Sequence, residues 1–259
     1  MAMLTAILTH LDARAVGAHL EYLRATAPGS RFVVCYGGDR REFGRLDGID
    51  ALFIDDPTLR VPHHDRSYTG LFRTLYEQRV HDDPEADLVY LIEYDQLILS
   101  GDFEERLTAV AEKSDAGLFG KAASLRNDTN WPHFTRYRRD QRLNRFISGM
   151  SRRDEPDPRY GCLGTGMLIR RAALEALAAI EDPPAVYWEL IVPTLVYHLG
   201  FEVADVDAFG DLYVNVRWRP EFTADDVVAA KRVGSAFIHP VKDPGALDRL
   251  RQDTSPAVT

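Results

Sequence analysis

Short apolar runs alternate with segments of helical periodicity along most of the chain, and this alternation restricts the possible folds more than any other feature. The apolar runs cover residues 4–9, 31–36, 51–54, 88–92, 116–119, 166–169 and 201–206. Helical spacing follows the first run at Val16, Leu20 and Leu23, and is indicated again over 69–80 and 192–199. Alternation of this kind predicts an α/β fold with a mixed, mainly parallel sheet flanked by helices.

Polar residues follow several of these strands directly. They are His10, Asp39, Asp55 and the consecutive group Glu93, Tyr94 and Asp95. In open α/β sheets, ligands bind beyond the carboxyl ends of the strands. The strand before Glu93 reads LVYLI, and two carboxylates separated by one residue can both reach one hard cation and its ligand. We therefore predict a divalent metal site at Glu93 and Asp95.

Three later segments carry glycine, acidic and histidine residues in a distinct order. The segment GCLGTGMLIRR contains Gly164 and Gly166, YWELIVPTLVYHLGFEV has Glu189 before Gly200, and AFIHPVK contains His239. Together with VYLIEYDQLIL, this ordered set resembles the glycosyltransferases of the GT-A fold, over about residues 4 to 240. In that family an Asp-x-Asp motif follows an apolar strand.

The chain departs from the family pattern at two points. Glu93 stands in place of the first Asp, which keeps a carboxylate at that position. Trp188-Glu189 stands where a Glu-Asp pair is common, and this change bears on the identity of the general base.

The resemblance implies a GT-A-like (Rossmann-like) fold and a glycosyltransferase that moves a sugar from a nucleotide-diphosphate sugar donor to a hydroxyl acceptor. It implies a Mn²⁺ or Mg²⁺ ion held by Asp95, His239 and Glu93, and a histidine ligand favours Mn²⁺. The implied general base is Glu189. The implied nucleotide contacts are Thr9, His10, Asp39, Glu93 and Tyr94, and the implied substrate contacts are Gly164, Gly166, Trp188 and Trp131.

Pro193 predicts where the helix that follows Glu189 begins. Proline lacks an N–H and is tolerated in a helix mainly within the first turn. The helix is therefore expected over about 192–199, with Glu189 at its N-terminal lip and facing a cleft.

Length and local composition indicate the domain organisation. A chain of 259 residues is compatible with one α/β domain, expected over 1–251 and followed by a flexible tail over 252–259. Residues 121–160 are polar and include five arginines between Arg136 and Arg145, which predicts an inserted excursion on the acceptor side. This arginine cluster is either a solvated helix face or a site for a phosphorylated or carboxylated acceptor.

Composition and charge exclude several classes of protein. The formal net charge of −9 disfavours a nucleic-acid binder. No apolar run reaches the length of about 20 residues that a transmembrane helix needs. The N-terminus has no basic region typical of a signal peptide, and the two cysteines, Cys35 and Cys162, match no metal spacing. A cytoplasmic protein is expected.

Two alternatives to a glycosyltransferase remain compatible with the residues. A nucleotidyltransferase of related fold would normally have a glycine-rich basic loop after the first strand, where this chain reads THLDA. A non-catalytic GT-A-like ligand-binding module is favoured by the missing acid before Glu189. Hydrolysis of a nucleotide sugar with Mn²⁺ would separate an enzyme from such a module.

Overall fold

The computed structural model describes residues 1–57, 65–243 and 245–252. The predicted tail over 252–259 lies outside the described residues except for Gln252, which ends the last helix. No helix in the described ranges has both the length and the apolar character needed to cross a membrane.

Strands and helices alternate as the sequence predicts. The strands are β1 (Ala2–Thr9), β2 (Arg31–Tyr36), β3 (Ala51–Phe53), β4 (Ala86–Glu93), β5 (Leu97–Ile98), β6 (Leu118–Gly120), β7 (Ser124–Leu125), β8 (Tyr160–Gly161), β9 (Met167–Arg170), β10 (Val203–Asp205) and β11 (Phe237–Ile238). The helices are α1 (Ala13–Thr26), α2 (Arg40–Phe43), α3 (Thr69–Leu75), α4 (Phe103–Ala111), α5 (Pro132–Tyr137), α6 (Gln141–Met150), α7 (Arg171–Ala178), α8 (Trp188–His198), α9 (Ala224–Arg232) and α10 (Ala246–Gln252). A π-helical turn, Tyr76–Val80, continues α3 to the end of the predicted segment 69–80.

The main sheet of the described residues has the strand order β10-β6-β9-β4-β1-β2-β3. Strand β1 lies between β4 and β2 and is parallel to both, β3 is parallel to β2, and β10 is parallel to β6. Strand β9 is antiparallel to both of its neighbours, β4 and β6. The predicted class, a mixed and mainly parallel sheet flanked by helices, is therefore confirmed.

Two apolar cores cover the two faces of this sheet, because successive side chains of a strand point to opposite faces. Val89 and Leu91 of β4 belong to the core that contains residues of α3, α7 and α8. Leu88, Tyr90 and Ile92 belong to the core that contains residues of α1 and α4. Helices on both faces explain why β4 reads as a continuous apolar run rather than an alternating one.

The segment 121–160 begins and ends at a short two-stranded ladder. Strand β7 pairs antiparallel with β8, with Ser124 opposite Gly161 and Leu125 opposite Tyr160. Helices α5 and α6 lie between these strands in the chain. The buried residues of the two helices are Phe134, Tyr137, Leu143 and Ile147. The excursion therefore contains two defined helices.

The predicted start of the helix that contains Pro193 is wrong by four residues. Helix α8 begins at Trp188 instead of 192, so Glu189 lies in its first turn and Pro193 lies inside it. A proline leaves the carbonyl oxygen four residues earlier without its helical donor. Here that oxygen belongs to Glu189, and it accepts a hydrogen bond from the backbone N–H of Cys162 at 3.1 Å. An external donor thus allows the helix to extend past the proline.

Candidate metal and nucleotide site

The carboxyl ends of the adjacent parallel strands β1 and β4 form the floor of a cavity. Their register sets Leu8 beside Glu93, so the residues that follow each strand emerge at the same edge of the sheet. The cavity has a volume of about 370 Å³. It is lined by Leu8, Thr9, His10, Gly37, Arg66, Tyr68, Glu93, Tyr94, Asp95 and Lys242. Acidic and basic side chains therefore share one concave surface where a ligand site is expected.

Three side chains in or beside this cavity could hold one metal ion. One ligand atom from each of Glu93, Asp95 and His239 lies within 4.8 Å of the other two. Glu93 and Asp95 stand at the end of β4. His239 reaches them because β11 pairs with β5, with Ile238 opposite Leu97.

Backbone contacts fix the geometry of this group. The N–H of Val241 donates to the carbonyl oxygen of Asp95 at 2.8 Å. The Nδ1 of His239 lies 2.8 Å from the carbonyl oxygen of Arg217. Since a carbonyl can only accept, Nδ1 donates this hydrogen bond, and Nε2 is the ring nitrogen that could bind a cation. That Nε2 lies 3.4 Å from Oδ1 of Asp95.

The three residues fit a divalent cation. Oδ1 of Asp95 is buried and has no hydrogen-bond partner among the described residues, which costs free energy unless a cation or a donor meets it. Burial, followed by the charge of Asp95, raises the pKa of Glu93 to about 8. A bound cation would reverse both effects, because it stabilises the ionised carboxylates. Two carboxylates and an imidazole form a donor set suited to Mn²⁺.

A buried hydrogen-bond network supports the loop that carries Glu93. The N–H of Glu93 donates to Oγ1 of Thr165 at 2.9 Å, and this hydroxyl donates to Oε1 of Gln96 at 2.6 Å. The Nε2 of Gln96 donates to the hydroxyl of Tyr90 at 2.5 Å. The hydroxyls of Tyr90 and Tyr213 are 3.1 Å apart. This network connects the metal-site loop to the glycine-containing segment before β9.

Gly166 has a structural role in that network. Its φ of +73° is in the left-handed region that favours glycine. Its carbonyl oxygen accepts a hydrogen bond from the Tyr213 hydroxyl at 2.7 Å. A Cβ at this position would meet Tyr213 and Gln96 at 3.1 and 3.2 Å, so the absence of a side chain permits close packing.

Glu189 lies at a second cavity, of about 330 Å³. Its side chain is mostly buried, with the residue 8% exposed, and Oε1 accepts a hydrogen bond from the N–H of Gly164 at 2.8 Å. Burial raises the pKa of Glu189 to about 7, while the Gly164 N–H, Arg126 and Tyr187 act in the opposite direction. A carboxyl group with a pKa near neutrality can exchange a proton with a bound hydroxyl.

Aromatic, apolar and basic residues form the rest of the second cavity. Its lining residues are Lys121, Ala122, Arg126, Trp131, Pro132, His133, Cys162, Leu163, Glu189, Val216, Arg217 and Trp218. Glu189 is the only acidic residue in this set. Arg217 also connects the two cavities, since its carbonyl oxygen holds the ring of His239.

The structure brings most of the sequence-predicted nucleotide contacts to the first cavity. Thr9, His10, Glu93 and Tyr94 all line it, and the rings of His10 and Tyr94 meet edge to face with centroids 4.9 Å apart. Asp39 does not line it: its carboxylate accepts from the N–H of Arg41 at 2.7 Å and caps the N-terminus of α2.

The predicted substrate contacts divide between cavity and core. Trp131 lines the second cavity. Trp188, in contrast, is 1% exposed, and its ring packs against Gly164 and edge to face on Tyr68. The prediction of Trp188 as a substrate contact is therefore corrected, because its ring belongs to the core. A Cβ on Gly164 would lie 2.6 Å from that ring, so this glycine is needed for packing.

Several lining residues were not predicted. Lys242 follows His239 by only three residues, and a basic side chain so close to a predicted metal ligand was a usable signal for a predicted diphosphate contact. Arg66 and Tyr68 belong to no motif, and only the folded chain brings them to β1 and β4. Arg126 and Arg217 of the second cavity likewise come from separate parts of the chain.

No family model matches the chain, and no curated protein matches it. Among solved structures, the galactosyltransferase LgtC in complex with donor and acceptor sugar analogues is 15% identical, with 99% of this chain and 98% of that chain covered and a TM-score of 0.43. Glucosyl-3-phosphoglycerate synthase from Mycobacterium tuberculosis, in complex with Mn²⁺, UDP-glucose and glycerol 3-phosphate, is 14% identical, with 90% and 76% covered and a TM-score of 0.45.

Rv0371c from Mycobacterium tuberculosis H37Rv, in complex with manganese, is 15% identical, with 79% of this chain and 87% of that chain covered and a TM-score of 0.41. Identities and TM-scores at this level carry no conclusion about activity. The function is therefore inferred from the residues of the two cavities.

Proposed function

We propose that this protein is a metal-dependent glycosyltransferase that uses a nucleoside diphosphate sugar as donor and a hydroxyl compound as acceptor. The observation that carries the proposal is the group of Glu93, Asp95 and His239, with an unpartnered buried Asp95 oxygen, at a cavity that also holds Arg66 and Lys242. Carboxylate and imidazole ligands beside two cationic side chains suit a metal-bound diphosphate.

The first cavity supplies what a donor of this class needs. Glu93, Asp95 and His239 would hold a divalent cation, which would supply Lewis-acid stabilisation of the diphosphate leaving group. Arg66 and Lys242 add positive charge on the same surface and can contact phosphate oxygens. The end of β1, with Thr9 and His10, offers polar groups to the nucleoside, and Gly37 lines the same cavity.

Glu189 is proposed as the group that accepts the acceptor's proton. In the transfer, the acceptor oxygen forms a bond to the anomeric carbon, the bond from that carbon to the phosphate oxygen breaks, and the hydroxyl proton passes to Glu189. The Gly164 N–H orients the carboxylate at 2.8 Å. A base whose pKa is near neutrality suits this step at physiological pH.

The proposal retains two expectations from the sequence. The chain is treated as one domain over 1–251, with 121–160 on the acceptor side, where Arg126, Trp131 and His133 contribute to the second cavity. The cytoplasm is proposed as the compartment, consistent with two unpaired, buried cysteines. Cell fractionation with an antibody to the chain would test the compartment.

Binding and turnover together test the function. Nucleoside diphosphates with Mn²⁺ should raise the melting temperature more than either component alone, and a set of nucleotide sugars with Mn²⁺ should be hydrolysed slowly without acceptor. Hydrolysis that releases a nucleoside diphosphate supports a glycosyltransferase, whereas release of pyrophosphate from a nucleoside triphosphate and sugar phosphate supports a nucleotidyltransferase. Binding without turnover of any donor supports a ligand-binding module. Absence of a metal-dependent shift with every nucleotide would refute the proposal.

A further inference from the structure

The second cavity, defined by the lining residues given above, has a composition that restricts the acceptor. We propose that the acceptor combines a ring with an anionic group, a phosphate or a carboxylate, and that Trp218 and Arg217 recognise these two features. This inference rests on the proposed function and goes beyond it, because that function requires only a hydroxyl group.

The ring is inferred from the aromatic and apolar wall of the cavity. Trp218 lines it and is 68% exposed, although a large aromatic side chain is costly to leave in water. Trp131 lines it too, and its ring packs on the backbone of Gly161, where a Cβ would lie 2.5 Å from the ring. Ring contacts continue from Trp131 to His133, with centroids 5.0 Å apart, and from His133 to Tyr187, with centroids 3.7 Å apart. A sugar or aromatic ring presents the apolar face that such a surface binds.

The anionic group is inferred from two of the basic side chains that line the cavity, Arg126 and Arg217, although the charge of Arg126 also acts on Glu189. Lys121 is ion-paired with Asp207, which does not line the cavity. In the part of the chain that the structure describes, neither Arg126 nor Arg217 forms an ion pair. Both cations therefore face a cavity whose one acidic lining residue is Glu189.

The contacts of the two arginines hold their guanidinium groups in place without neutralising their charge. The Nη2 of Arg126 donates to the carbonyl oxygens of Ala122 and Gly161 at 2.6 and 3.2 Å. Its Nε is buried and has no hydrogen-bond partner within residues 1–57, 65–243 and 245–252. The Arg217 guanidinium lies over the Phe222 ring at 3.6 Å from its centroid, and its Nε donates to the carbonyl oxygen of Pro220 at 2.8 Å. Fixed cations at the rim of an apolar cavity attract an anion more strongly than mobile surface lysines do.

The exposed arginines in and between α5 and α6 provide the competing location. The cluster from Arg136 to Arg145 could hold an anionic acceptor by composition alone, yet none of its members lines the second cavity. Arg139 is exposed and serves as a matched control, because it has the same side chain at a site outside the cavity. Its substitution separates a local effect of Arg217 from a general effect of positive charge.

Four candidate acceptors distinguish the contribution of the ring from that of the negative charge. Glucose 6-phosphate and glucuronic acid have both features, glucose has only the ring, and glycerol 3-phosphate has only the anion. Transfer to each is measured with the nucleotide sugar that the protein hydrolyses in Mn²⁺. Wild type should prefer at least one of the two charged sugars, in kcat/KM, over both glucose and glycerol 3-phosphate. Comparison of glucose 6-phosphate with glucuronic acid identifies which anion is used.

Two variants and the control test the assigned residues. In Arg217→Gln, the preference for the charged sugar over glucose should fall about ten- to hundredfold, the value of one charge-assisted hydrogen bond. In Trp218→Ala, both sugars should lose kcat/KM relative to glycerol 3-phosphate. Arg139→Gln should retain the wild-type preference.

Three results would overturn the inference. They are equal use of glucose and the charged sugars by the wild type, an unchanged preference in Arg217→Gln, and an equal loss of preference in Arg139→Gln. Failure of the proposed function would give a different result, namely no donor hydrolysis and no nucleotide-dependent thermal shift. In that case, thermal shifts of wild type and Arg217→Gln with glucose 6-phosphate and glucose alone still decide whether the cavity binds an anionic ring.

Discussion

The substitution Asp95→Asn should change stability in opposite directions with and without metal. Asn keeps the size of Asp but removes the charge from a residue whose Oδ1 is buried without a partner. Without a cation, the charge of Asp95 is one of the causes that raise the pKa of Glu93, so its removal relieves repulsion. The metal-free variant should therefore melt at or above the wild-type temperature. With Mn²⁺ and a nucleoside diphosphate, the variant should melt below wild type.

The size of the effect follows from chain length and ligand linkage. For 259 residues, an unfolding entropy of about 2.1 cal/mol/K per residue gives about 0.5 kcal/mol/K, so 1 kcal/mol shifts the melting temperature by about 2 °C. Ligand at about 100 times its Kd stabilises the wild type by about 2.7 kcal/mol, which corresponds to about 5 °C. A hundredfold loss of affinity leaves about 0.4 kcal/mol, or about 1 °C.

Differential scanning fluorimetry measures the melting temperature of each protein without ligands and again at fixed nucleotide and Mn²⁺ concentrations. Asp47→Asn is a matched control, because Asp47 is exposed and lies outside the first cavity. It should keep the full ligand-dependent shift. If Asp95→Asn also keeps that shift, Asp95 is not a metal ligand. If the metal-free variant melts well below wild type, the idea that the uncompensated carboxylate is a cost to the fold is wrong.

Three further substitutions test other parts of the site and the fold. His239→Ala should raise the Mn²⁺ concentration needed for the thermal shift without abolishing it, since two carboxylates remain, and an unchanged titration would remove His239 from the ligand set. Glu189→Gln should bind donor normally and slow transfer by about 10²–10⁴. In the wild type, transfer should rise with pH through about 7, because only the ionised carboxylate accepts a proton; a flat profile together with normal turnover of the variant would point to another base. Burial lowers the pKa of His19 to about 4, so the unfolded chain binds a proton below pH 6.5 that the folded chain does not. About 3 kcal/mol of stability should be lost as the pH falls from 6.5 to 4. Urea unfolding of His19→Leu should show a smaller loss of unfolding free energy over this pH range, and an equal loss would contradict the role of His19.

The sequence predicts the sheet and the positions of Glu93 and Asp95 well, because both depend on local pattern. Strand β4 is a continuous apolar run, and Glu93 and Asp95 follow it directly in the chain. Parallel pairing then brings the end of β1, with Thr9 and His10, to the same edge. For such residues, knowing that they follow a strand is nearly enough to predict where they lie in the fold.

Exposure of a side chain is much harder to predict from the sequence. Trp188 and Glu189 are adjacent in the chain, but successive residues of an α-helix point about 100° apart. The helix therefore directs Glu189 to the cavity and Trp188 to the core. The positions of Arg217 and Trp218 are equally hard to predict. Their place beside Glu189 depends on the pairing of Val216 with His239, which no local pattern indicates.

Helix α8 shows how a correct local rule can give a wrong boundary. Proline inside a helix removes one hydrogen bond and costs about 3 kcal/mol when nothing replaces it. Here the oxygen released by Pro193 is that of Glu189, and the N–H of Cys162 meets it at 3.1 Å. The N–H of Gly164, two residues further along, donates to the Glu189 carboxylate. The proline thus frees the acceptor that joins the glycine-containing segment to the helix, and the same segment orients the proposed base. The sequence contains both halves of this arrangement, but only their contact in the fold explains why the helix continues through Pro193.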